Sequence, residues 1–168
     1  ETATLGGGVS RALFDECGGK TFQQEMKTKL EEDFGDALEQ DDCLVTSAGT
    51  SSKFRFVLHV PAVDYRLPKR GKPPTSVSRI QACTAAALGA AADLGERDQR
   101  AISITFPLLG AGSGGLSPEA SRRAMIAGTK SFFHEQPEAP IEAVLFAVPE
   151  TDRFALCERL VKAAFGSR

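Results

Sequence analysis

Four glycines fall within six residues at Gly110-Ala111-Gly112-Ser113-Gly114-Gly115, directly after an apolar β-type run from Ile102 to Leu109. Leu116, Ser117, Pro118 and Glu119 come next. Serine is a strong helix N-cap and proline suits the first helical position, so this spacing predicts a helix that begins near Pro118. Strand, glycine turn and helix start together make a device for holding phosphate. Glycine lets the backbone take positive φ and come close to a ligand, while the unpaired N–H groups and dipole of a helix start favour an anion. A second glycine run, Gly6-Gly7-Gly8, is followed by Val9 and Ser10 and opens a helical segment at Arg11-Ala12-Leu13. Two such loops in one chain suggest a phosphate-bearing ligand clamped between two backbone cradles.

Other glycine-loop chemistries fail on detail. Gly110 to Gly115 formally fits G-x-G-x-x-G, but the dinucleotide fingerprint wants an acidic residue about 20 positions later, at the end of the next strand. Here the next strand runs out near Glu150. No Gly-Lys-Ser/Thr follows Gly110–Gly115, which excludes a nucleotide P-loop there, and Gly112-Ser113-Gly114 lacks the spacing of a serine-hydrolase elbow.

Elsewhere the candidate chemical groups read more simply as structural. His59 lies mid-strand with no evident acidic partner, as a hydrogen-bonded structural histidine would, and His134 closes a helix, where a cation suits the dipole. Asp15-Glu16 read as a surface helix end. Arg66, Lys69, Arg70 and Lys72 form a basic loop beside Tyr65, read as solvated; the alternative is a grip on the phosphates of RNA or another phosphate-linked chain.

The elements that must position the loops follow from periodicity. Ser10–Cys17 and Thr21–Leu38 read as helices, the second with acidic residues such as Glu31, Glu32, Asp33 and Asp36 outward. Cys43–Ser47 and Phe54–Val60 read as strands, and Asp64–Ser76, rich in proline, as a loop. Val77, Ile80, Cys83, Ala87, Ala91 and Leu94 recur at helical spacing, with small residues that permit close packing on a sheet. A helix from about Pro118 to Phe133, an apolar strand at Ile141–Val148 and a helix carrying Phe154, Cys157, Leu160, Val161 and Ala164 complete the chain. Strands alternating with helices in the second half argue for parallel pairing in an α/β/α sandwich.

Bulk composition agrees with one soluble domain over residues 1–168: 42% hydrophobic and 25% charged residues, with a net charge of −2. That charge gives no electrostatic reason to expect wholesale nucleic-acid binding. No apolar stretch approaches the roughly 18 residues of a membrane span. Cys17, Cys43, Cys83 and Cys157 are widely spaced, with no metal-ligand pattern, and read as buried reduced thiols of a cytoplasmic protein.

Three segments together resemble the macro domain family of ADP-ribose-binding modules. GGGVSRAL at Gly6–Leu13 is similar to that family's first loop, KFRFVLHVPAV at Lys53–Val63 to its central strand, and ITFPLLGAGSGGLSPEAS at Ile104–Ser121 to its pyrophosphate loop. With VLFAVPE at Val144–Glu150 the likeness extends over nearly the whole chain. It implies a three-layer α/β/α sandwich with a mixed, mostly parallel sheet, short of the family's N-terminal strands. It further implies that Gly110, Ala111, Gly112, Ser113, Gly114, Gly115 and Leu116 hold the two phosphates. Gly6, Gly7, Gly8 and Val9 would wrap the distal ribose, and Val148 and Pro149 would sit against the adenine.

The implied ligand is ADP-ribose, free or on a mono-ADP-ribosylated protein, bound by a monomer without metal or cofactor, in the cytoplasm or, in a eukaryote, the nucleus. Departures bear on activity. The catalytic Asn pair of the family would fall upstream of Glu1, and Ser10 stands where one hydrolase branch carries an aspartate. The resemblance therefore leaves three functions in play. They are a non-catalytic reader, a hydrolase of mono-ADP-ribose or of O-acetyl-ADP-ribose, and a nucleotide or RNA-end binder.

Overall fold

The computed structural model describes residues 8–35, 37–64, 74–147 and 151–166, with the backbone alone for 151–156. In chain order these form α1 (Gly8–Glu16), α2 (Lys20–Phe34), β1 (Leu44–Ser47), β2 (Phe56–His59), α3 (Val77–Arg97), β3 (Ile102–Phe106), α4 (Pro118–Glu135), β4 (Ile141–Phe146) and α5 (Thr151–Phe165). Every helix and strand expected from periodicity is present, with shifted ends. The first helix begins two residues early, at Gly8, and the strands stop short of Phe54, Val60 and Leu109.

The described strands form two two-stranded sheets, one antiparallel and one parallel. β1 and β2 run antiparallel, with Leu44 opposite His59 and Ser47 opposite Phe56. β3 and β4 run parallel, from Ile102 opposite Ile141 to Phe106 opposite Phe146, as the strand–helix–strand order requires.

Two apolar clusters organise the packing. Phe22, Met26 and Leu30, on one face of α2, meet Cys17, Leu44 and Val57. The larger cluster joins Ile80, Ala87, Leu88, Ala91 and Ala92 of α3 to Ile104 and Phe106 of β3 and to Ala124, Met125 and Phe132 of α4. Small residues set how closely the two long helices approach. A Cβ at Gly128 would fall 2.5 Å from the Gln81 carbonyl oxygen, so only glycine fits that crossing without a shift. A groove of about 300 Å³ between the two helices is lined by Ser78, Gln81, Ala82, Ala85, Gly128 and Ser131.

The four cysteines are free thiols, with Cys17, Cys83 and Cys157 buried and Cys43 partly so. Among the described residues no helix is long and apolar enough to cross a membrane.

Candidate functional site

The glycine segment leaves the end of β3 and is anchored before it reaches α4. Ser117 caps α4 by accepting a hydrogen bond from the Ala120 N–H at 3.1 Å, and Pro118 occupies the first turn. One turn on, the Ser121 hydroxyl donates to the Leu109 carbonyl at 2.7 Å and ties the helix back to the segment's start. Within the segment, the Gly115 N–H donates to the Gly112 carbonyl at 3.0 Å and the Leu116 N–H to the Gly110 carbonyl at 3.1 Å. These two bonds close a compact loop.

The glycines of this loop do different jobs. Gly110 and Gly115 take φ of +72° and +76°, a region that a side chain would strain. Gly114 is buried, and a Cβ there would fall 2.5 Å from the Gly110 carbonyl oxygen. Its smallness is demanded by the loop's own closure. Gly112 is the exception: it is exposed, and a Cβ would meet nothing within 4 Å. Open space stands where the loop itself needs none. Among the described residues, the N–H groups of Gly110 through Gly114 donate to no protein acceptor, whereas those of Gly115 and Leu116 are engaged inside the loop. A run of unengaged amides next to a capped helix start offers the donors that an anion would need.

A neighbouring strut supports the loop and was not legible in the sequence. Thr75, buried, donates from Oγ1 to the Ala62 carbonyl at 2.6 Å, while its methyl carbon lies where side chains at Gly110 or Gly114 would go. The Asp64 N–H donates to the Pro74 carbonyl, and Arg79 of α3 pairs with Asp64 at 3.1 Å and donates to the Pro61 carbonyl. Residues 61–64 and 74–79 are thereby cross-tied beneath the loop. Sequence reasoning assigned Thr75 only to a proline-rich connection; nothing local marks its partner 13 positions away.

The first glycine loop is placed only in part. Gly8, with φ +55°, and Val9, 51% exposed, form the first residues of α1, and Ser10 is exposed in the same turn. Gly6 and Gly7 lie outside the described residues, as do Val148, Pro149, Tyr65 and the basic residues Arg66, Lys69, Arg70 and Lys72. The far end of α1 is structural. Lys53 and Ser51 hold the Glu16 carboxyl below its usual range through hydrogen bonds of 2.7 and 2.9 Å, and Thr50 donates to the Glu16 carbonyl. Asp15 pairs with Arg11 one turn earlier.

His59 is a structural residue. Its Nε2 shares a 3.0 Å hydrogen bond with the buried Thr46 hydroxyl, and its ring lies 5.9 Å from that of Phe22. Burial pushes its pKa down to about 4, against the opposing pull of Glu25, so the ring is neutral at neutral pH. His134 is exposed in the last turn of α4. Among the described residues no group of His, Cys, Asp and Glu is placed to hold a metal ion.

The fold and loop define an α/β domain built around a strand, glycine loop and capped helix. The macro domain model matches residues 1–125, and the chain belongs to that family. Solved macrodomains share the fold at low identity. One is an Oceanobacillus iheyensis macrodomain variant with ADPR (18% identity, TM-score 0.72, covering 99% of this chain and 85% of that one). Another is the Oceanobacillus iheyensis macrodomain with ADP (20%, 0.67, 97% and 81%). A third is the macro domain of ganglioside induced differentiation associated protein 2 (18%, 0.64, 100% and 75%). No curated protein matches the chain.

Proposed function

We propose that this chain binds ADP-ribose, free or attached to protein, and that the loop from Gly110 to Gly115 holds the pyrophosphate. The observation that carries the proposal is the row of unengaged N–H groups from Gly110 to Gly114, opening beside the capped start of α4 and the empty space over Gly112. Oriented amides bind a diphosphate without lysines, which suits a chain of net charge −2. Membership of the macro domain family supports the choice of ligand, and solved macrodomains of the same fold carry ADPR or ADP. Gly6 to Val9 would then face the distal ribose, and Val148 and Pro149 the adenine.

Binding in this mode is complete in itself, and recognition of ADP-ribose is the function proposed. The same bound state is the starting point for hydrolysis of a mono-ADP-ribose linkage, in which a positioned water would attack the anomeric carbon and the pyrophosphate's fixed charge would assist. Calorimetric titration with ADP-ribose, ADP and AMP tests the proposal. Micromolar or tighter affinity for ADP-ribose, about 8 kcal/mol, with weaker binding of AMP, is the expected result. Equal affinity for all three would overturn it in favour of a general nucleotide cleft. Release of ADP-ribose from a mono-ADP-ribosylated protein, followed in the same sample, separates hydrolase from reader.

A further inference from the structure

Six polar or charged side chains are buried among the described residues: Thr46, Thr75, Thr84, Ser121, Arg122 and Thr129. Five of them are satisfied. Thr46 bonds His59, Thr75 the Ala62 carbonyl, Thr84 the Ile80 carbonyl, Ser121 the Leu109 carbonyl and Thr129 the Met125 carbonyl. Arg122 is the exception. It is 2% exposed, and its Nε and Nη1 are buried with no hydrogen-bond acceptor among the described residues.

An unpaired buried charge is strongly unfavourable. Its position says what kind of partner is expected. Arg122 directly follows Ser121, the residue that ties α4 to the start of the glycine loop. Helical side chains lean toward the N-terminus of their helix, which here is the loop end of α4. Arg122 shares a helical face with the buried Ile126 and Thr129 on α4, the helix against which α5 packs. Glu119, one turn before Arg122, pairs with Arg123, and Glu158 of α5 pairs with Lys162.

We infer that Arg122 is a further ligand-binding residue, whose guanidinium takes an oxyanion of phosphate on the α5 side of the glycine loop. For the identity of the natural ligand the inference rests on the ADP-ribose reading; for phosphate chemistry it stands on Arg122 alone. Charge-assisted donors from a buried cation would then add to the neutral amides of Gly110–Gly114.

The test uses the whole chain with two probes, inorganic phosphate and ADP-ribose, on the wild type, Arg122→Met and Arg122→Lys. Expected are a rise in melting temperature of the wild type with phosphate that Arg122→Met lacks, and an ADP-ribose affinity at least about tenfold weaker in Arg122→Met. Arg122→Lys, which keeps the charge, should recover part of both. Without ligand, Arg122→Met should melt no lower than the wild type, because it removes an unpaired charge. A lower melting temperature with unchanged affinity would overturn the inference, since Arg122 would then serve a carboxylate within the chain. Unchanged response of Arg122→Met to both probes would overturn it as well. Phosphate stabilisation that depends on Arg122, without ADP-ribose binding, would sustain the inference and defeat the ADP-ribose reading. Should Arg122→Met not fold, the Nε–Hε resonance of Arg122 in the wild type decides: a shift on saturation with phosphate sustains the inference, and no shift overturns it.

Discussion

At the start of α4, Ser117 caps the helix, Ser121 ties it to Leu109, and Thr75 supports the loop from below. At the start of α1, Gly8 and Val9 stand exposed, and no residue of the helix is buried. Both starts carry glycines, yet among the described residues only the α4 start is held in one shape by its neighbours. A backbone that must meet a diphosphate with several amides at once gains from that rigidity, because little ordering remains to be done on binding. Glycine content alone does not distinguish the two; the packing around the glycines does.

Substitutions at individual glycines break this comparison most sharply. Gly114→Val should have the largest effect, because its side chain would overlap the Gly110 carbonyl. Loss of about 3 kcal/mol of stability together with loss of ADP-ribose binding is expected from chemical denaturation and calorimetry. Gly112→Glu should separate the two effects. It enters open space, so the melting temperature should hold within about a degree or two, while a carboxylate among the amides proposed to hold phosphate should weaken ADP-ribose at least about 100-fold.

A pH measurement sharpens the account of the other half of the molecule. His59 has its pKa lowered to about 4, below the 6.5 of the free side chain, so the unfolded chain binds the extra proton more readily. Stability should therefore be fully present above pH 6.5 and fall as the pH drops toward 4. Between about pH 7 and pH 5 the loss is about 2 kcal/mol, and His59→Gln should show a correspondingly shallower decline. ADP-ribose affinity over the same range should change little, since no group in the glycine loop titrates there. Smaller still is the effect of Ser117→Ala. Removing the cap should cost about 1 kcal/mol and weaken the ligand a few-fold, by loosening the helix start rather than removing a contact.

Much of this arrangement was legible in the sequence, because it is local. The α4 start announced itself through Ser117 and Pro118, α3 through its three- and four-residue apolar spacing, and the parallel pairing of β3 with β4 through alternating strand and helix. The loop's glycines were visible, but not their division of labour. That Gly114 must be small follows from Thr75 and the Gly110 carbonyl, while Gly112 borders open space, a difference no linear pattern encodes. Arg122 was missed for a similar reason. On a helix of ordinary charge content, a second-turn arginine beside Arg123 reads as solvated, yet in the fold it is buried. Strand ends were overextended at Val60 and Leu109, where apolar residues continue past the last ladder bond to cover the larger cluster.

The most direct test of the central claim is an amide spectrum of the ¹⁵N-labelled chain titrated with ADP-ribose. The account predicts that the amides of Gly110 through Gly114 shift most and saturate together with the calorimetric isotherm, while those of Gly115 and Leu116, bonded inside the loop, shift less. Saturation of ADP-ribose binding with the Gly110–Gly114 amides unmoved would contradict it.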